Sequence, residues 1–320
     1  MPLLTWIARH GPLLMAVGVL LGIAAPPLAA LLHPLLVPTL MLPLTLALLR
    51  LDWRAIGGYR RHKLTIVAIV AWLLAVSPAL VWIITSAAER AGLPRPLQTA
   101  VVLMAASSPI VSSVAIALMV QLDATLAVVA VLVSTALVPF TLPFMSSVLL
   151  GLSLEIPLPV FMARLAALVG GAFLAAWLLR RFTPLTTHRD GGVWIDVLTV
   201  LSLVVFAIAI MDGVTAFALS RPVYAAIAVA LAFAANLGLQ AAAALVFRGL
   251  GNRKALTVGL MSGNCNMGLV LVALEGRASF EVTVFFALAQ LPMYVLPALL
   301  APVYRHLVAR RPAGVGTSSG

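Results

Sequence analysis

Residues 105–117 read AASSPIVSSVAIA, and residues 259–271 read GLMSGNCNMGLVL. Each is a polar, helix-breaking cluster set inside a long apolar run. In the first, Pro109 removes a backbone donor and crowds the preceding turn, with Ser107, Ser108, Ser112 and Ser113 around it. In the second, Gly263 opens backbone conformations closed to other residues, beside Ser262, Asn264, Cys265, Asn266 and Gly268. Both runs are therefore expected to be discontinuous helices. Two amides two residues apart in an apolar span need polar partners.

The flanking sequence identifies the solvent. Of 320 residues, 63% are hydrophobic and 9% charged, whereas a soluble domain is about 25% charged. A soluble enzyme or a nucleic-acid-binding domain is excluded, and the chain reads as an integral membrane protein. Apolar runs fall at about 12–31, 34–51, 64–86, 96–120, 124–150, 157–179, 193–217, 222–247, 254–274 and 279–304. Most are long enough to span and lack the period-two alternation of a barrel strand, so ten transmembrane helices are expected. The first run could pass for a signal peptide, but spans follow it at once, so a retained span is expected. The tail, residues 310–320, is small and polar and is expected to be disordered.

The net charge of +11 reflects topology, because the basic residues cluster between the apolar runs. Assigned alternately, 15 fall on one side and four (Arg90, Arg95, Arg221 and Arg277) on the other, with Arg164 inside the sixth run and expected to snorkel. This bias predicts a multi-pass protein of the inner (plasma) membrane with both termini cytoplasmic, which requires an even number of spans.

Pro109 and Gly263 lie 154 positions apart, each in the fourth span of a five-span half. Five is odd, so the halves, about 12–150 and 157–304, would form an inverted repeat within one transmembrane domain. Paired broken helices in corresponding places mark the midplane site of a transporter. Their half-helix N-termini would favour an anion. The candidate substrate or ion site is therefore Ser108, Pro109, Ser112, Ser113, Ser262, Gly263, Asn264, Cys265 and Asn266. The competing reading of such clusters is tight helix crossing without a site.

Asp196 and Asp212, toward the two ends of span seven, are candidate proton-relay carboxylates or interfacial acids. Asn236 and Gln240 share a helix face, which suits interhelical packing. Trp6, Trp53, Trp72, Trp82, Trp177 and Trp194 read mostly as interface anchors. His10, His33, His62, His188 and His306 lie near span ends or in connections, so neither a metal site nor a catalytic constellation is expected. The single Cys265 excludes an intramolecular disulfide.

Several stretches resemble the bile acid:sodium symporter superfamily, and the chain looks like a divergent bacterial member of it. GPLLMAVGVLLGIAAPP (11–27) and LMLPLTLALLRLDWRAI (40–56) resemble its first two helices. GLPRPLQTAVVLMAASSPIVSSVA (92–115) resembles its fourth, where a Cys-Pro-Gly-Gly-x-x-Ser-Asn type motif is usual. Ser134-Thr135 with Pro139 and Pro143 resembles the fifth helix, Asn236 falls where a His-Asn-Gly element is often seen, and KALTVGLMSGNCNMGLVLVAL (254–274) resembles the ninth. The resemblance implies ten helices in a panel and a core, with broken helices four and nine crossing. It also implies where sodium ligands would fall. Pro109, Ser113 and Asn266 remain. The motif glycines become Ile110 and Val111, and the asparagine falls on Val114 or Ala115. The helix-five hydroxyls fall on Ala127 and Val131, the shared glutamate on Gly259 or Met261, and the second site on Leu73 and Cys265. Hydrocarbon side chains offer sodium no ligand.

The expected function is secondary transport of a small organic anion (a steroid-acid-like, pantoate-like or keto-acid-like carboxylate) by alternating access. Membrane lipids are the other partner, no nucleic acid is involved, and no cofactor is expected beyond sodium or protons as coupling ion. The alternatives are metalloid efflux of the arsenite type, through Cys265, and an intramembrane receptor or enzyme.

Overall fold

Prolines and glycines set most of the element boundaries. The computed structural model describes residues 2–50, 62–151, 157–183, 191–274 and 277–309. The basic loop with Trp53, Arg54, Arg60 and Arg61, the residues His188 and Arg189, and the 310–320 tail fall outside them. Helix α1 is Pro2–Arg9, α2 is Gly11–Ala24, α3 is Pro26–Leu32 and α4 is Leu36–Arg50, with a tight turn at His33–Leu35 between the last two. The predicted first span, 12–31, thus ends early. Pro26 and Pro27 occupy the first positions of a new helix, where proline suits best, and residues 26–32 join the second run.

The third run is α5 (Lys63–Ala71) and α6 (Ser77–Arg90), joined by a π-helical turn at Trp72–Val76. The fourth splits into α7 (Arg95–Ala106) and α8 (Ser113–Met119). Helix α9 (Ala124–Leu150) starts at a cap in which the Asp123 carboxylate accepts from the Leu126 N–H at 3.0 Å. Then come α10 (Leu158–Phe182), α11 (Gly191–Ala209) and α12 (Val214–Ser220). The predicted span at 193–217 is broken before α12, where Gly213 adopts φ 72° and a Cβ would lie 2.8 Å from the Phe280 ring. Helix α13 (Pro222–Val246) precedes the ninth run, which splits into α14 (Asn252–Gly263) and α15 (Met267–Ala273). Helices α16 (Phe280–Leu288) and α17 (Gln290–Ala309) complete the chain.

Among the described residues, seven helical runs are long and apolar enough to cross a membrane: Pro26–Arg50, Lys63–Arg90, Ala124–Leu150, Leu158–Phe182, Gly191–Ser220, Pro222–Val246 and Phe280–Ala309. The other three predicted spans are not single long helices. One is the short Leu13–Ala24, and two are the broken pairs α7/α8 and α14/α15. Large side chains such as Leu31, Leu64, Phe182 and Leu219 face outward, which suits a lipid solvent. This is a multi-pass membrane protein.

The helices form two layers. Helix α11 packs on α2 and α4, and α4 on α10; the other layer is α5–α9 with α13–α17. Both layers use a Gly-xxx-Gly pair for a close crossing. In α2, a Cβ on Gly22 would lie 2.9 Å from the Ile208 carbonyl of α11, and one on Gly18 3.1 Å from that of Val204. In α14, a Cβ on Gly259 or Gly263 would lie 2.7 Å from the Gln240 or Asn236 carbonyl of α13.

Candidate functional site

The two breaks cross. The chain leaves the helix at 107–112 and at 264–266, and Pro109 and Cys265 form an isolated antiparallel bridge. The Ile110 N–H donates to the Asn264 carbonyl and the Asn266 N–H to the Ser108 carbonyl, both at 2.8 Å. Each break thus satisfies part of the backbone that the other leaves open.

A buried polar chain supports the second break. The Asn236 amide donates to the Gly263 carbonyl at 2.7 Å, the Gln240 amide donates to Asn236 Oδ1 at 2.5 Å, and the Tyr304 hydroxyl donates to Gln240 Oε1. Asn236 and Gln240 therefore do pack between helices, as their spacing suggests, and they do so through the broken helix's terminal carbonyl. Trp72 differs from the interface role expected of it. It is buried in the π turn and its indole N–H donates to Ser262 Oγ at 3.0 Å. Arg164 does not simply snorkel either: its guanidinium donates at 3.4 Å to the Ala273 carbonyl at the end of α15, where a cation suits the helix dipole.

A cavity of about 680 Å³ lies between the layers, against the crossing. Helices α4 and α11 supply Leu40, Leu44, Arg50, Asp196, Thr199 and Leu203 to its walls; the other side supplies Ile110, Val111, Ser112, Val114, Thr125 and Asn266. Its size and mainly apolar lining suit a small-molecule site. A second cavity, of about 250 Å³, is lined by His33, Leu36, Ile210, Asp212 and Leu271 among others. Between the two cavities, α15 presses on both neighbours. A Cβ on Gly268 would lie 2.8 Å from Leu40 and 2.9 Å from Phe206.

Of the nine predicted site residues, Ser112 and Asn266 line the larger cavity. Asn266 also accepts from the Leu269 N–H at 3.3 Å, capping α15. Ser262 is occupied in packing, accepting from Trp72 and donating to the Val258 carbonyl at 2.8 Å. Cys265 is buried and donates to the Ser262 carbonyl at 3.2 Å. Ser108, Ser113 and Asn264 are buried, and Ser108 Oγ, Ser113 Oγ and Asn264 Oδ1 have no hydrogen-bond partner. Part of each half-helix N-terminus, where an anion is expected, is occupied from within the chain. At α8, the Ser113 and Val114 N–H groups bond to the Ile110 and Val111 carbonyls; at α15, the Met267 N–H bonds to Cys265 and the Leu269 N–H to the Asn266 side chain. These donors are already engaged. Asp196 is ion-paired with Arg50 on the wall of the larger cavity, and Asp212 lines the smaller one. Arg50 escaped the sequence reading because a basic residue at a span end normally signals only topology.

Several of the positions that the resemblance reserves for the sodium-site motif carry hydrocarbon, although Ser113 and Asn266 keep polar side chains. Leu73, Val111, Ala127, Val131 and Met261 all belong to one buried apolar cluster. Gly259 faces the α13 backbone with no room for a side chain.

No curated protein matches the chain. The sequence profile of the Sodium Bile acid symporter family matches residues 34–227, more than half of the chain. The match includes the first break, α4 and all of α11; the second break lies beyond it and is tied to the first by the bridge at Pro109. With its apolar helices and this match, the chain belongs to the sodium bile acid symporter family.

Proposed function

We propose that the protein is a secondary transporter of small organic anions working by alternating access, with ten membrane passes in two inverted five-helix halves. The observation that carries this reading is the crossing of two broken helices with a separate cavity on either side of one constriction. On α4, Leu40 lines one cavity and Leu36 the other; Leu203 on α11 and Ile210 just past its end do the same, with Phe206 between them at Gly268. Rocking one layer against the other there would close one cavity and open the other. Inverted symmetry is supported by the packing: α7 lies on α16 and α14 on α9, so the first half of each broken helix meets the last run of the opposite repeat. By the bias of basic residues, the Arg50 side is cytoplasmic and this conformation faces inward.

The apolar cluster at Leu73, Ala127, Val131 and Met261 supports transport without sodium, because a desolvated cation there would lack oxygen ligands. Proton coupling through Asp196 or Asp212, or simple exchange, takes its place. The metalloid reading gains no support, since Cys265 lines neither cavity and donates to Ser262. Uptake of a panel of labelled carboxylates into proteoliposomes tests the function, and exchanging external sodium for potassium tests the coupling. Saturable uptake unchanged by the swap is expected. A sodium dependence of about tenfold, roughly 1.4 kcal/mol of coupling, would refute the coupling, and no uptake of any member would refute the transporter.

A further inference from the structure

The larger cavity holds a charge pair whose cationic member, Arg50, the transport reading leaves without a role. Arg50, the last residue of α4, and Asp196, in the second turn of α11, both line it. The guanidinium donates to both carboxylate oxygens, to Oδ2 at 3.3 Å, and also to the Gly192 carbonyl at 3.3 Å. Each side chain keeps 41% of its surface exposed, so an ion arriving in the cavity can reach either. Among the described residues that line the cavity, Arg50 carries the one positive charge and Asp196 the one negative charge. The Ser113, Val114, Met267 and Leu269 N–H groups at the half-helix N-termini are engaged within the chain, and Arg50 is the cation on this wall able to meet an anion.

We propose that Arg50 is the anion receptor of this cavity and that Asp196 is its removable internal counter-ion: the acidic group of the transported molecule replaces the Asp196 carboxylate on the Arg50 guanidinium. The inference rests on the transporter reading and names the charged end of its site. A half-exposed ion pair is weak and easily exchanged, and a carboxylate meets a guanidinium through the same two-pronged geometry whatever molecule bears it. Resident Asp196 keeps the empty cavity neutral, and a neutral ligand is a poor competitor because it offers the guanidinium no charge in exchange for the carboxylate. From Arg50 back to Leu40 the helix rises about 15 Å, and that stretch of wall is apolar at Leu40, Pro43, Leu44 and Ala47. The ligand class is therefore an organic monoanion with an extended apolar body. Ser112 and Asn266 also line the cavity, where a hydroxyl or carbonyl on the ligand would find partners.

The test measures thermal stabilisation of the full chain in detergent by matched carboxylates and carboxamides on three apolar bodies: adamantane, naphthalene-acetic and cholane. The native chain is expected to prefer the carboxylate of at least one pair. Arg50→Gln should weaken that carboxylate about tenfold and bring it level with its amide. Asp196→Asn should strengthen carboxylate binding severalfold, since the internal competitor is gone. Arg50→Lys, which keeps the charge without the fork, should fall between, and it decides the matter if Arg50→Gln does not fold. Were the pair only a tie between α4 and α11, Arg50→Gln and Asp196→Asn would act in the same direction and leave the carboxylate preference intact, and the inference would fail alone. If no member of any pair stabilises the native chain, the cavity is not an organic-anion site and the transporter reading falls with it.

Discussion

Pro109 lies opposite Cys265 at the one point where the two broken helices pair. The flanking bonds, Ile110 to Asn264 and Asn266 to Ser108, belong to the neighbours on either side. The bridge residues themselves form the pair that exchanges no hydrogen bond, so the missing N–H of proline costs nothing there. A residue that ends the helix is thus also one that fits the crossing.

Gly263→Ala should destabilise the protein by about 1–3 kcal/mol. In an open helix the same change would gain up to about 1 kcal/mol. Here the new Cβ would stand 2.6–2.8 Å from Gln240 Cγ and from the Asn236 carbonyl and side-chain oxygens, one of them backbone. A lowered unfolding midpoint in detergent checks this; an unchanged or raised midpoint would show that α13 yields freely.

Asn266→Ala should impair transport more than folding. The side chain caps α15, a role worth about 1 kcal/mol, and it also lines the cavity. Carboxylate uptake reduced about tenfold, equivalent to about 1.4 kcal/mol of transition-state stabilisation, with a small shift in midpoint is the expected pattern. Normal uptake would reduce Asn266 to a helix cap.

Cys265 should resist alkylation in the folded protein, because it is buried and lines neither cavity. Ser112→Cys should react readily with a maleimide, since residue 112 lines the larger cavity, and a bound carboxylate should protect it. Equal rates at the two cysteines would contradict the placement of the cavity.

Trp72→Phe should cost about 0.5–1.5 kcal/mol through the lost bond to Ser262. Combined with Ser262→Ala in a double-mutant cycle, the coupling should come near the roughly 0.6 kcal/mol average for bonds between membrane helices. A coupling of zero would mean that the indole is held by packing alone.

Much of this molecule was legible in residue order because it depends on local chemistry. Apolar runs of spanning length announce membrane helices, and Pro109 and the Ser262–Asn266 cluster interrupt them whatever lies nearby. The boundary at Pro26–Pro27 belongs to the same class and was available from proline placement, although the apolar run masked it. The break at Gly213 was harder to see, since its requirement comes from Phe280 pressing on it from another helix.

The direction in which each polar side chain leaves a break was not legible. Ser112 and Asn266 face the cavity, Ser108, Ser113 and Asn264 turn into the protein, and Ser262 turns to Trp72. A break fixes where the backbone stops being helical, but the rotation of each residue about it is set by the strand it crosses. The same reason hides the pairs Arg50–Asp196 and Trp72–Ser262, which lie 146 and 190 positions apart in the chain. Residue order determined that this chain crosses a membrane with two interrupted helices. Only the tertiary structure decided which charges meet in the space beside them, because that depends on how the layers pack and not on the spacing within any one helix.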